Sequence, residues 1–186
     1  MQHKKFALIG KGGHASEVEQ FLPFQVEKFD HLEFLANDVL QYEVMIAVGD
    51  SALRKKIYDA LPRYISYFSY IHPSAFVGRN VIIGDGSFVG PNCVLTTNIF
   101  IGNHALLLRG CHVGHDCNIG NFLSMMGNSV VNGNCTLGHQ VYVGTNASVR
   151  EKTVISNNVK VGMNSAVVKN IINPGVYAGC PASQVR

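Results

Sequence analysis

From Ile71 to Val167 the chain carries an aliphatic residue at every sixth position. The series runs Ile71, Val77, Ile83, Val89, Leu95, Ile101, Leu107, Val113, Ile119, Met125, Val131, Leu137, Val143, Val149, Ile155, Val161 and Val167. All 17 are Ile, Leu, Val or Met, and no insertion interrupts the count. The next position is Gly in nine of the 17 hexads, and the fourth is Asn in nine, including Asn80, Asn92, Asn128, Asn146 and Asn164. Gly and Asn tolerate positive φ, so each hexad carries its own corner. A period of six suits neither a helix nor a long strand. It predicts a solenoid of very short strands, each ending in a turn, with one aliphatic side chain per hexad pointing inward. The fifth position also points inward and is mostly small or β-branched: Ala75, Val81, Ser87, Cys93, Ala105, Cys111, Cys117 and Cys135. Four of the five cysteines fall in this class, which makes them small core side chains rather than nucleophiles or ligands.

Residues 1–70 lack the six-fold period. Phe6-Ala7-Leu8-Ile9 reads as a buried strand, followed by Gly10-Lys11-Gly12-Gly13-His14-Ala15 and an amphipathic stretch through Val18, Phe21 and Leu22. A second strand near Val26 to Phe29 ends at Asp30. A third, Val44 to Val48, ends at Gly49-Asp50. A helix through Leu53, Ile57 and Leu61 follows, with Asp50 or Ser51 as its cap. A last strand, Tyr64 to Ile71, leads into the solenoid. Strands alternating with helices imply a small parallel sheet. The loop matches G-x-G-x-x-A between strand and helix, with an acid 20 residues past Gly10. Glycines there let backbone N–H groups approach a diphosphate at a helix N-terminus, and the acid reaches a ribose hydroxyl. About 70 residues make only one mononucleotide half, so the loop suits a single nucleotide diphosphate better than a dinucleotide. A tight turn without a ligand is the alternative.

A formal charge of +3 gives no reason to invoke nucleic acid. The longest basic run, Arg54-Lys55-Lys56, reads as the solvated face of a helix. No apolar run approaches the roughly 20 residues that span a bilayer, and no small-residue cleavage site follows the N-terminus. A cytoplasmic protein is expected. Five cysteines without a C-x-x-C pair argue against a disulfide framework and a zinc ribbon.

The hexads resemble those of the hexapeptide-repeat acyltransferases. The segments Gly10–Ala15, Ala47–Ile57, Ile71–Ala75, Gly114–Gly120, Val167–Ile171 and Pro174–Ala182, in that order, make the whole chain similar to the sialic-acid and bacillosamine acetyltransferase family. Within it the nearest likeness is to enzymes that acetylate UDP-4-amino-4,6-dideoxy sugars. The resemblance implies an α/β N-terminal half-Rossmann domain over residues 1–70, which binds the nucleotide sugar, and an all-β left-handed parallel β-helix acetyltransferase domain over residues 71–186. It implies three hexads per coil, so that Cys93 stacks under Cys111 and Cys117 under Cys135, and a homotrimer. The nucleotide-sugar contacts carried over are Gly12, Gly13, His14, Asp30 and Gly49, with Gly10 shaping the same turn. Acetyl-CoA would be the cosubstrate and no metal is implied.

Acetyl transfer to an amine needs a base, an oxyanion donor and in-line placement. Of the eight histidines, His115 in Gly114-His115-Asp116-Cys117 occupies a solvent-side hexad position, and Asp116 follows it at the corner. The resemblance makes His115 the general base and Asp116 its partner. Read without it, His115 is one of several exposed histidines, and His104, His112 and His139 read as surface or packing residues. His14 is the second choice. The family's pantetheine groove between neighbouring solenoids corresponds to Gly133, Gly144, Thr145, Gly162 and Met163, with the Gly133 N–H as oxyanion donor. Lys160 and Lys169 suit either cofactor phosphates or a solvated face. Two positions depart from the family: Leu108 stands where relatives carry Asn, and Ser124, which the resemblance counts with the cofactor-binding residues, where some carry a cofactor-side His. Competing expectations are sialic acid O-acetylation, a β-helix carbonic anhydrase and a non-catalytic scaffold.

Overall fold

A computed structural model describes residues 4–185; His3 lies outside them. The chain forms an α/β unit and a three-sided solenoid. In the α/β unit, strands β1 (Lys5–Ile9), β2 (Glu27–Phe29), β3 (Tyr42–Ile46) and β4 (Ser66–Tyr67) form one sheet in the order β2-β1-β3-β4. All its pairings are parallel. Helices α1 (Gly13–Phe21), α2 (His31–Leu35) and α3 (Ser51–Ala60) connect the strands. Asp50 caps α3 by accepting from the Leu53 N–H, as its place before the helix implies. Asp30 caps α2 through a capping box with Glu33. The expected final strand, Tyr64 to Ile71, is two strands. Ser66–Tyr67 pairs with β3, while Tyr70–Ile71 pairs with Phe88–Val89 of the solenoid. The chain changes sheets between them.

From Tyr70 onward, strands of two to four residues stack into three sheets of eight, six and five strands. Partners lie 18 residues apart through the coils, as in Leu106↔Ser124 and His112↔Val130, so three hexads complete one turn. The parallel, repeated pairing fits a left-handed parallel β-helix. The aliphatic hexad positions from Val89 to Val167 are buried and form one core with Cys93, Cys111, Cys117 and Cys135. The fourth position of every hexad from Asn80 to Asn164 has positive φ, between 53° and 69°. His104, Asp116, Phe122, Gln140 and Lys152 adopt it as fully as the asparagines do. The backbone thus turns left-handed at each corner whatever the side chain, and the tolerant residue types mark where it does so without strain.

The three sheets make a triangular prism. One edge, through Thr97, His115, Gly133 and Glu151, joins the six- and five-stranded sheets and faces away from the eight-stranded sheet. A second, through Arg109, Gly127, Thr145 and Met163, joins the eight- and six-stranded sheets. The third carries Asn103, Asn121, His139 and Asn157. The α/β unit packs on the eight-stranded face, where Phe88 and Leu106 join a core with Leu8, Ala15, Val18, Met45 and Phe68. Among the described residues no helix is long and apolar enough to cross a membrane.

The basic run on α3 is not uniformly solvated. Arg54 is fully buried, while Leu53, expected on the apolar face, is 49% exposed. The buried face of α3 runs through Ser51, Arg54 and Ile57. The Arg54 guanidinium reaches across to the solenoid. Its Nε donates to the His104 carbonyl (3.0 Å), and its Nη2 to the carbonyls of Phe122 (3.1 Å) and Leu123 (2.8 Å) and to Ser124 Oγ (2.8 Å). Its Nη1 bonds the Val48 and Gly49 carbonyls. Burial pulls the guanidinium down to about 9, with Asp50 partly opposing, so it stays charged at neutral pH. Five carbonyls and a hydroxyl do the solvating that water does for an exposed arginine.

Candidate active site

At the carboxyl ends of β1 and β3 the chain presents the loop Gly10–His14 and Gly49, where connections leave toward opposite edges of the sheet. Such a crevice is where open α/β sheets hold ligands. Gly10 is required by the fold itself: its φ is +138°, and a Cβ there would lie 2.7 Å from the Ala47 carbonyl oxygen. Gly12 and Gly13 differ, because a Cβ on either meets nothing within 4 Å. They border open space at the N-terminus of α1, whose N-cap, Gly12, has no side chain to satisfy the first N–H groups. The His14 ring packs against Gly49, where a Cβ would stand 3.8 Å from it. His14 Nε2 is buried without a hydrogen-bond partner. Burial first, then the Arg54 charge, lowers its pKa, with Glu17 opposing. Asp30 sits at the end of β2, and its Oδ1 accepts from the Leu32 and Glu33 N–H groups at 2.9 Å.

A cavity of about 490 Å³ opens beside this crevice, between the α/β unit and the solenoid. His14, Glu17 and Asp50 line one side; Leu108, Met126, Tyr142 and Lys160 line the other. Lys160 is ion-paired with Asp50 at 2.6 Å, so its charge is directed at the α/β unit. Lys169 is exposed at the far end of the solenoid.

His115 and Asp116 stand on the opposite edge. Both are about half exposed, at 56% and 46% of the side chain, and His115 Nδ1 lies 2.7 Å from Asp116 Oδ2. Hydrogen bonds from His115 and then Asn98 hold the Asp116 carboxyl below the ordinary range. A carboxylate only accepts, so Nδ1 is the ring nitrogen that donates to it, and in the neutral ring the lone pair is then on Nε2. That ring edge lies over Gly133 of the next coil, where a Cβ would stand 2.7 Å from Nε2. A side chain at 133 would displace the imidazole.

The remaining expected residues separate by edge. Gly133 shares the His115 edge. Gly144, Thr145, Gly162 and Met163 lie on the Thr145 edge, which borders the cavity. Gly144 is explained by coil stacking, since its Cβ would meet Met163 N at 2.7 Å. Met163 is 72% exposed. Ser124 is corrected: it is fully buried, and its hydroxyl donates to the Gly49 carbonyl (2.8 Å) while accepting from Arg54, so it faces no groove. His104 is a packing histidine, 3% exposed between Tyr58, Tyr67 and Phe122, and burial depresses its pKa to about 4. His139 accepts from the Asn121 N–H in a ladder along the third edge. The reading from sequence missed Arg54, Glu17, Met126 and Tyr142. For Arg54 a signal was present, since it lies three residues from both Ser51 and Ile57 on one helical face.

The family model of the GMPPB C-terminal domain matches residues 63–177. The chain belongs to this family. Among solved structures, the acetyltransferase domain of PglB from Neisseria gonorrhoeae is 25% identical, with a TM-score of 0.88 over 98% of this chain and 100% of that one. PerB from Caulobacter crescentus, solved in complex with CoA and GDP-perosamine, is 25% identical with a TM-score of 0.85 over 97% of this chain and 96% of that one. WeeI from Acinetobacter baumannii, 23% identical, shares the fold with a TM-score of 0.88 over 98% and 100% of the two chains. A comparison with curated proteins finds no match. The structural kin are hexapeptide-repeat acetyltransferases, and the chain is an acetyltransferase of that kind.

Proposed function

We propose that the chain transfers acetyl from acetyl-CoA to the amine of a nucleotide-linked 4-amino-4,6-dideoxy sugar, with His115 as general base, in a homotrimer. The observation that carries this is the outward His115–Asp116 pair, its free Nε2 lying over a glycine, on the edge remote from the nucleotide crevice. PerB, with CoA and GDP-perosamine bound, and the PglB domain, also solved with acetyl coenzyme A, support the choice of substrates. Residues 1–70 act as a half-Rossmann nucleotide-sugar domain and residues 71–186 as the acetyl-transfer domain.

In one chain, His115 and the cavity lined by His14 and Tyr142 lie on opposite sides of the prism. A site holding both draws them from two copies, with the His115 edge of one against the Thr145 edge of its neighbour. Gly133 then joins Gly144, Thr145, Gly162 and Met163 along one groove for the cosubstrate. Gly12, Gly13 and the α1 N-terminus hold the diphosphate. Asp30, with Oδ2 uncommitted by the cap, reaches the ribose, and His14 contacts the sugar. As the sugar amine forms its bond to the thioester carbonyl, His115 Nε2 takes the amine proton. The carbonyl oxygen gathers charge facing the Gly133 N–H, and CoA leaves as thiolate. Asp116 balances the imidazolium that forms. A base so placed contributes roughly 10²–10⁴ in rate.

The test offers UDP-, GDP- and dTDP-linked amino sugars and sialic acid together with acetyl-CoA and follows thiol release. Turnover of a nucleotide amino sugar, lost by at least about 100-fold in His115→Ala with the fold intact, supports the proposal. Turnover of sialic acid alone overturns the acceptor, and an active His115→Ala variant overturns the base.

A further inference from the structure

Along the His115 edge three corner residues spaced by 18 are joined side chain to side chain. Asn80 Nδ2 lies 3.0 Å from Asn98 Oδ1, Asn98 Nδ2 lies 3.0 Å from Asp116 Oδ1, and Asp116 Oδ2 lies 2.7 Å from His115 Nδ1. The direction of this chain follows from chemistry. The Asp116 carboxylate can only accept, so Asn98 must turn its NH₂ toward it. The Asn98 carbonyl oxygen then faces Asn80, which must donate in turn. Every member therefore has one orientation, fixed from the charged end.

From this we infer that Asn98 is a positioning residue for His115, acting through Asp116, with Asn80 holding Asn98 in place; the inference rests on His115 being the base. A lone carboxylate half exposed to water is free to rotate and to release the ring. With Oδ1 held by Asn98, Oδ2 stays on Nδ1, and the ring stays in the tautomer that leaves Nε2 free. The corner backbone adds to this, since residues 80, 98 and 116 all sit at φ between 53° and 59° and so project in register. No other charged group on this edge competes closely. Arg79 and Glu151 lie two coils from His115, and Lys152 two coils from Asp116.

The test replaces Asn98 by Gly, which deletes the amide yet suits the left-handed corner, as Gly86 and Gly110 already do at equivalent positions. The ring tautomer is read by ¹⁵N NMR on full-length protein labelled at histidine, with Asn92→Gly, at a corner on another edge, as control. We expect the Nδ1–H population of His115 to fall at least about twofold in Asn98→Gly and to stay at the wild-type level in Asn92→Gly. Both variants should melt within a few degrees of the parent. An unchanged tautomer in Asn98→Gly, or an equal change in Asn92→Gly, overturns the inference. The measurement needs no acceptor, so it is separable from the turnover test of His115→Ala. If that variant stays active, the base reading falls and this inference with it; if only the tautomer result fails, the base reading stands.

Discussion

Gly133→Ala probes the His115 edge, and with it the proposed base, with a single methyl group. The added Cβ would stand 2.7 Å from His115 Nε2, 2.9 Å from Cε1 and 3.0 Å from Cδ2, all three nearest neighbours belonging to one ring. Carbon and nitrogen make unstrained contact near 3.5 Å, so the imidazole must retreat by about 0.8 Å. A displacement of that size at a reacting atom costs on the order of 100-fold in rate, or about 2.7 kcal/mol of barrier. Stability should respond otherwise. Gly133 is not among the residues at positive φ, and its carbonyl still accepts from Lys152 N at 2.9 Å, so alanine suits the backbone. The smaller entropy of the unfolded chain even favours it, by roughly 0.4–1 kcal/mol. Steady-state thiol release with acetyl-CoA and the acceptor found in the substrate panel, beside a thermal melt, separates the two effects. The expected result is kcat reduced about 100-fold with an undiminished melting temperature. An unchanged kcat refutes the placement of Nε2 as the working atom. A fall in kcat that tracks a collapse in melting temperature refutes the claim that the methyl acts on the ring alone.

Other consequences are as direct. Arg54→Met should cost at least about 3 kcal/mol in urea denaturation, because it strips donors from the carbonyls of His104, Phe122 and Leu123 and from Ser124 Oγ. An unchanged midpoint would mean that water replaces the guanidinium. His104 has its folded pKa lowered from 6.5 to about 4, and His14 is lowered too. Below about pH 6.5 the unfolded chain therefore binds more protons, and stability should fall as pH drops from 6.5 toward 4. The loss from His104 reaches about 3 kcal/mol, and it should shrink in His104→Asn, as melts across that range will show. Lys152 occupies a left-handed corner at φ 60° with an exposed side chain, so Lys152→Gly should stabilise by up to about 1 kcal/mol; a lower denaturation midpoint would contradict the corner argument.

Much of this architecture was readable in the chain. The six-residue spacing from Ile71 to Val167 places the core, and the fourth-position asparagines mark corners where the backbone has positive φ. Local rules also located β1, β2 and β3 of the α/β unit and narrowed the α3 cap to Asp50 or Ser51, of which Asp50 is the one used. Features that depend on distant partners were harder to see. The five carbonyls around the guanidinium lie far apart in sequence, so Arg54 passed for a surface charge although its spacing from Ser51 and Ile57 placed it on the buried face of α3. Ser124 was expected beside the cofactor by analogy and proved to be part of the same buried contact. The short α2 was legible only as Asp30 and Glu33 three apart, a pattern masked by the role assigned to the acid. The separation of His115 from the Gly10–His14 crevice needs the path of each edge around the prism, which repeat counting alone does not trace.

The guanidinium at the junction has a mechanical consequence. One rigid planar group grips the end of β3, through Val48 and Gly49, and two successive turns of the solenoid. The α/β unit and the coil are thereby clamped together beside the cavity that both line. If the cavity takes the sugar as proposed, selection follows the outline of Leu108, Met126 and Tyr142, and altered preference is to be sought by reshaping those walls.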